Sequence, residues 1–136
     1  MGTRGQVSIE YMLVLGFMFM MLVPLIVLYA NTQRDTSETL IEGQARSVGV
    51  AIRDAAERVY YAGEPSQERV EVYFPDNVRA AVLLNSTIVF TITSSHNPYN
   101  LTIAGVAPLA GALKTHQGIH VVTVRAENGV VQVSDS

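Results

Sequence analysis

Few side chains in this 136-residue sequence could carry chemistry, and their spacing limits what each could do. There is no cysteine, which removes disulfides, thiolate nucleophiles, Cys-ligated zinc, iron–sulfur clusters and covalently attached haem. His116 and His120 are four apart, a spacing that would suit a metal bound on a helix. They straddle Gly118 and run into a stretch with strand periodicity, and no acidic cluster accompanies them, so no metal site is expected. His96 lies in a Ser-Ser-His-Asn-Pro turn without a serine–acid constellation of defined spacing. No phosphate-binding glycine loop is present. The chain is therefore expected to be non-enzymatic and to need no cofactor. Two other features stand out. Asn85-Ser86-Thr87 and Asn100-Leu101-Thr102 both fit the N-glycosylation pattern, whereas Asn97 is followed by Pro98 and does not. Each candidate asparagine also has a plainer reading, as a turn residue beside β-favouring threonines. The last feature is Glu10, a lone carboxylate at the head of a long apolar run. From its position alone it fits a solvated residue at a membrane interface. Deeper in a bilayer it would cost ~2.5–3.5 kcal/mol and need a partner.

The elements that position these residues follow from composition and period. The chain is 49 % hydrophobic and only 15 % charged, against ~25 % charged in an average soluble domain. The deficit is local, because residues 11–33 contain no charge at all. Residues 11–30, YMLVLGFMFMMLVPLIVLYA, form a helix of about 30 Å, the thickness of a bilayer's hydrocarbon core. A removable secretory signal has a shorter apolar core, and Leu28 and Ala30 make a poor cleavage box. Arg4 on one side, against Arg34 beside Asp35 on the other, gives a weak positive-inside bias that leaves the following domain outside the cell. The remainder has room for one small domain, which excludes a large enzyme, a two-domain protein and a multi-span transporter. Nine basic against twelve acidic residues, with no basic run, argue against nucleic acid as a partner.

Beyond the apolar run the helical period persists. Ile41, Ala45, Val48, Ile52, Ala55 and Val59 share one face. Arg46, Arg53, Asp54, Glu57 and Arg58 lie opposite, with Glu42–Arg46 and Asp54–Arg58 as i, i+4 pairs. Gly43 and Gly49 either permit close approach of another element or are merely tolerated. Gly63 and Pro65 stop the helix. From residue 68 the period changes to two. Six short strands are predicted, at 70–74, 82–84, 87–93, 100–104, 119–126 and 130–133, with Asn128-Gly129 as a hairpin turn. Residues 105–118, with Pro108 and three glycines, read as a surface loop. The predicted fold class is α+β: a long N-terminal helix over 6–62 packed on an antiparallel sheet or small sandwich over 63–136. Within that helix, 11–30 is the membrane or apolar-core half and 31–62 the amphipathic half.

The segment Arg4-Gly5-Gln6-Val7-Ser8-Ile9-Glu10-Tyr11, followed at once by the apolar helix, resembles the N-terminus of archaeal type IV pilins with a class III signal peptide. That family's pattern is a short basic leader ending in Gly, then Gln-x-Ser-x-Glu, then the hydrophobic helix. Gly5, Gln6, Ser8 and Glu10 fill its specified positions, and Arg4 supplies the leader's charge. The resemblance implies that prepilin peptidase cuts between Gly5 and Gln6 and removes residues 1–5. It implies a chain held in the cytoplasmic membrane, N-terminus in and head out, then polymerised by an assembly ATPase and membrane platform into an extracellular filament. In that filament Glu10 would meet the new amine of Gln6, either of a neighbouring subunit or of its own chain. Gly16 and Pro24 interrupt the apolar helix, as a segment that deforms between membrane and filament or as a mild kink. The resemblance implies a self-polymerising structural subunit used for adhesion or surface interaction. A minor pilin or pseudopilin that primes or tips a filament, and a membrane-anchored binding domain that never polymerises, are the alternatives.

Overall fold

The computed structural model describes residues 3–94 and 97–136; His96, the third histidine, lies outside the described residues, as do the side chains of residues 3–6, 34 and 35. One helix, α1 (Thr3–Ala62), is followed by seven strands: β1 (Gln67–Phe74), β2 (Val78–Leu84), β3 (Thr87–Ile92), β4 (Tyr99–Ala104), β5 (Leu109–Ala112), β6 (Gly118–Glu127) and β7 (Val130–Asp135). The fold is α+β, a long N-terminal helix packed on a small sheet head. The chain divides into two compact units, one reaching to Ser37 and the other running from Glu38 to Ser136. The helix begins three residues before the expected Gln6, and Gly5 does not interrupt it. It ends where the sequence predicts. Gly63 takes φ +73°, a conformation costly for a side chain with a Cβ, and its N–H donates to the carbonyls of Val59 and Tyr60.

The second unit is built on the predicted apolar face. Ala45, Val48, Ile52, Ala55 and Val59 are buried, and Ile41 packs against them. Alternate residues of the strands meet this face: Val72 and Phe74 of β1, Ile88, Phe90 and Ile92 of β3, Leu101 and Ile103 of β4, and Val122 and Val124 of β6. The strands form two sheets. One has the order β1-β6-β7-β5 and the other β2-β3-β4. Phe74 and Phe90 join the two sheets edge to face, with ring centroids 5.9 Å apart.

Three expectations need correction. The 105–118 stretch is not all loop, because Leu109–Ala112 forms β5 and pairs parallel with β7. Its small residues carry no strand signal, and its pairing partner lies a hairpin away in sequence. Gly111 is needed there, since at φ +127° a Cβ would lie 2.0 Å from the Val133 carbonyl oxygen. The sheet bearing β5 is therefore mixed rather than antiparallel. Strand β2 begins at Val78, not Val82, with an irregularity between Val78 and Ala80 that the run Ala80-Ala81 hides from a two-residue period. Finally, Asp54 and Arg58 do not pair. Asp54 binds Arg53 at 2.6 Å, and Arg58 reaches Glu68 of β1 at 2.5 Å, whereas Glu42–Arg46 forms as expected at 3.4 Å.

The two glycines of the amphipathic half separate cleanly. A Cβ on Gly49 would lie 2.6 Å from Ile103 Cδ1 and 2.9 Å from Phe90 Cε2, so the helix approaches β3 and β4 closely here. A Cβ on Gly43 meets nothing within 4 Å. Phe90 is fully buried and has no room to retreat. Gly49→Ala should therefore destabilise the folded chain by about 1–3 kcal/mol through overpacking. Gly43→Ala should stabilise it by about 0.5–1 kcal/mol through helix propensity. Denaturant unfolding of both variants in detergent checks the opposite signs. The hydrogen bonds from Arg58 hold the Glu68 carboxyl below its ordinary range, against a smaller opposing effect of desolvation. A lowered carboxyl value means that this contribution is present above the unfolded value and is lost as pH falls through the folded one. Both side chains are partly in water, so the contribution is small and salt-sensitive. NMR titration should place Glu68 below ordinary glutamate, and Arg58→Gln should return it upward.

Candidate functional site

From Val7 to Gln33 every residue is exposed, including the large apolar side chains. The helix is long and apolar enough to cross a membrane. Burying a Leu, Met, Phe or Val side chain is worth about 1.5–3 kcal/mol, so this length of helix is stable only where another apolar phase covers it. Glu10 is exposed and one helical turn beyond Gln6. Leu13, Val14, Phe17 and Met21 follow it at i+3, i+4, i+7 and i+11. A carboxylate thus stands at the start of a wholly apolar face, with Ser8 nearby in sequence and the backbone of Gly5 and Gln6 within the same helix.

The helix runs unbroken through Gly16 and Pro24. Gly16 leaves an open apolar concavity bordered by Met12, Leu13, Phe17 and Met20. Pro24 has no N–H, so the Met20 carbonyl loses its usual i, i+4 donor. The ladder is weakest there.

Both candidate glycosylation asparagines reach the surface. Asn85 is exposed in the two-residue β2–β3 turn at φ +50°. The turn is fixed by hydrogen bonds from the Leu109 and Gly105 amides to the Asn85 and Ser86 carbonyls. Asn100 is exposed on β4 opposite Thr91, whose hydroxyl donates to Asn100 Oδ1 at 3.0 Å. Thr102 lies two residues on, also exposed.

The structure also brings together what the sequence does not. His120 is buried, and Asp135 of β7 closes on its Nδ1 at 2.6 Å. Its Nε2 lies 2.8 Å from the His116 carbonyl oxygen, and the His116 ring lies beside it, tilted by 48°, with centroids 4.2 Å apart. An acidic partner therefore exists, although the neighbouring sequence contains no acidic cluster. The hairpin register could have found it. Counting outward from Asn128-Gly129 pairs Glu127 with Val130 and so Val122 with Asp135, which puts His120 two residues along the same face. Both ring nitrogens are engaged inside the head, by Asp135 and by the His116 carbonyl. Among the described residues no group of three His, Asp or Glu side chains is placed to hold a metal.

No protein-family model matches the chain, and neither does any curated protein or solved structure. If residues 7–33 alone require an apolar phase, a fragment of residues 38–136 should fold without detergent and keep its sheet signal by circular dichroism, while the full chain should require detergent or self-associate.

Proposed function

We propose that this chain is a structural subunit of an archaeal type IV pilus-like surface filament, made as a precursor and assembled through its N-terminal helix. The observation that carries the reading is the fully exposed, uncharged helix of residues 11–33 with Glu10 at its head, directly after Gly5-Gln6-Val7-Ser8-Ile9. A helix apolar all round suits two environments in turn, lipid and then a dry bundle of like helices. Cleavage by prepilin peptidase between Gly5 and Gln6 would remove Arg4 and create an amine one turn from Glu10. In a bundle excluded from water, the Glu10 carboxylate needs a cationic partner, and the Gln6 amine of a neighbouring subunit supplies one. That pairing rewards one axial register over others. The assembly ATPase and membrane platform would provide the work of extraction from the membrane. The head, built on the second half of the same helix, would then face the exterior, with Asn85 and Asn100 available for N-linked glycans. Adhesion or surface interaction is the corresponding role.

Sequencing the N-terminus of the membrane-held or filament form tests the processing step. A chain beginning at Gln6 is expected, and one beginning at Met1 overturns the reading. Glu10→Ala should be cut like the unaltered chain yet lower filament yield by about tenfold or more, because the neighbouring amine is left buried without its carboxylate. Unchanged yield would remove the role assigned to Glu10. Filaments consisting mostly of this chain identify it as the main subunit rather than a priming or tip component.

A further inference from the structure

Strand β1 ends the four-stranded sheet, with β6 on one side and, among the described residues, no strand on the other. Its ladder fixes which groups face the open side. The Ala126 N–H donates to the Ser66 carbonyl, and in an antiparallel pair such bonds recur at every second residue. Glu68, Val70, Val72 and Phe74 therefore turn their N–H and C=O groups toward β6. Gln67, Arg69, Glu71 and Tyr73 turn theirs outward, and among the described residues no hydrogen bond reaches them. Sheet edges are ordinarily guarded by shortness, a bulge, a proline or repelling charge. The sheet's other edge, β5, has only 4 residues, and the edge strand β2 is irregular between Val78 and Ala80. Strand β1 runs for 8 residues in unbroken register and contains no proline. An open groove lies along its second half, between Glu71 and Tyr73 on the strand and Gln44, Ser47 and Ala51 on α1, and leaves space for a neighbour.

We propose that this edge is an interface between copies of the chain, at which a second copy adds its own β1, antiparallel and two-fold about Val70. The charges choose both the occupant and the register. Arg69 and Glu71 are exposed on one face of the strand and have no ion-pair partner among the described residues. With the two-fold axis at Val70, Arg69 lies opposite the copy's Glu71, and Glu71 opposite the copy's Arg69. Opposite charges directly across two strands attract, and like charges repel. Moving the axis by one residue, to Arg69 or to Glu71, still sets outward groups against outward groups but places like charge opposite like. Around Val70, every outward N–H and C=O from Gln67 to Tyr73 gains a partner. The strand's charge pattern is thus complementary to itself, which is what a two-fold contact between copies requires. The proposal stands on the head alone, whatever covers the apolar helix. In a filament whose subunits all run one way, a two-fold contact of this kind joins the heads of oppositely directed neighbouring filaments rather than successive subunits of one.

The test uses the full chain in detergent and exploits its lack of cysteine, so that an introduced thiol has no competitor. In the proposed register the Cα atoms of Arg69 and the copy's Glu71 stand about 5.5 Å apart, within reach of a disulfide, whereas two Arg69 positions are offset diagonally beyond about 7 Å. Arg69→Cys chains mixed with Glu71→Cys chains under mild oxidation should give about tenfold more mixed disulfide than either homodimer. Two Val70 positions lie opposite each other at about 4.5 Å, so Val70→Cys alone should form a homodimer. In that background Arg69→Glu or Glu71→Arg should slow dimer formation about tenfold, because each turns both cross-strand attractions into repulsions. Combining Arg69→Glu with Glu71→Arg should restore it. Homodimers as abundant as the mixed species, a rate unmoved by either reversal, or a double reversal no faster than the single ones each overturns the proposal. An edge reserved for a strand of another protein would leave every arm without a disulfide, and that outcome overturns it as well. Should Val70→Cys fail to fold, the mixed pair at exposed Arg69 and Glu71 still decides the question.

Discussion

A helix that presents Leu, Met, Phe and Val around its whole circumference must be taken out of water before anything else in this chain can matter. Residues 11–33 carry no charge with which to hold a hydration shell, and their apolar side chains are exposed. Lipid or other helices must do so. A single carboxylate at the head of such a segment then becomes more than a surface group. In water Glu10 needs nothing, at a membrane interface it needs little, and among packed helices it needs a cation. The same residue is thus tolerated in the first two settings and selective in the third.

The second half of the helix answers a different demand. Its apolar stripe uses small residues among larger ones: Gly49 lets β3 and β4 come close, and Ala45, Val48, Ile52, Ala55 and Val59 are buried along the same face. Around that contact the two sheets meet through Phe74 and Phe90. The charged side of the helix is tied down at its end by Arg58, which chooses Glu68 on β1 over Asp54 on its own helix. A cross-element ion pair of this kind joins the last turn to the first strand, so the helix stop at Gly63 and the start of the sheet are fixed together.

Much of this was legible in the sequence. The 4, 3, 4, 3, 4 spacing from Ile41 to Val59 marked the buried face, Gly63 marked the helix end, and Asn128-Gly129 marked the last hairpin, whose turn residues both take positive φ. What was not legible is instructive. Strand β5 consists of Leu, Ala, Gly and Ala, and it is a strand only because β7 lies beside it. Local pattern cannot report a partner contributed by a distant segment. The choice of Arg58 between Asp54 and Glu68 likewise depends on where β1 runs, which helical spacing does not contain. Of the candidate site, the exposed position of Glu10 and of both candidate glycosylation asparagines followed from pattern. The Asp135–His120 contact did not, since it needs the hairpin register carried to the strand's far end.

The order of pairing has a consequence for synthesis. Among the described residues strand β1 has β6 as its sole neighbour in the sheet, and residues 75–117, with the entire three-stranded sheet, lie between them in the chain. Hairpins β2–β3, β3–β4 and β6–β7 close over short loops, whereas β1 must wait for the longest closure in the head. A chain made from its N-terminus therefore places its apolar helix long before the head can complete its sheet. Until Gly118–Glu127 emerges, the edge of β1 has no strand to pair with and the buried stripe from Ala45 to Val59 lacks part of its cover. The fold thus sets a timetable: the apolar helix comes first and closure of the head last.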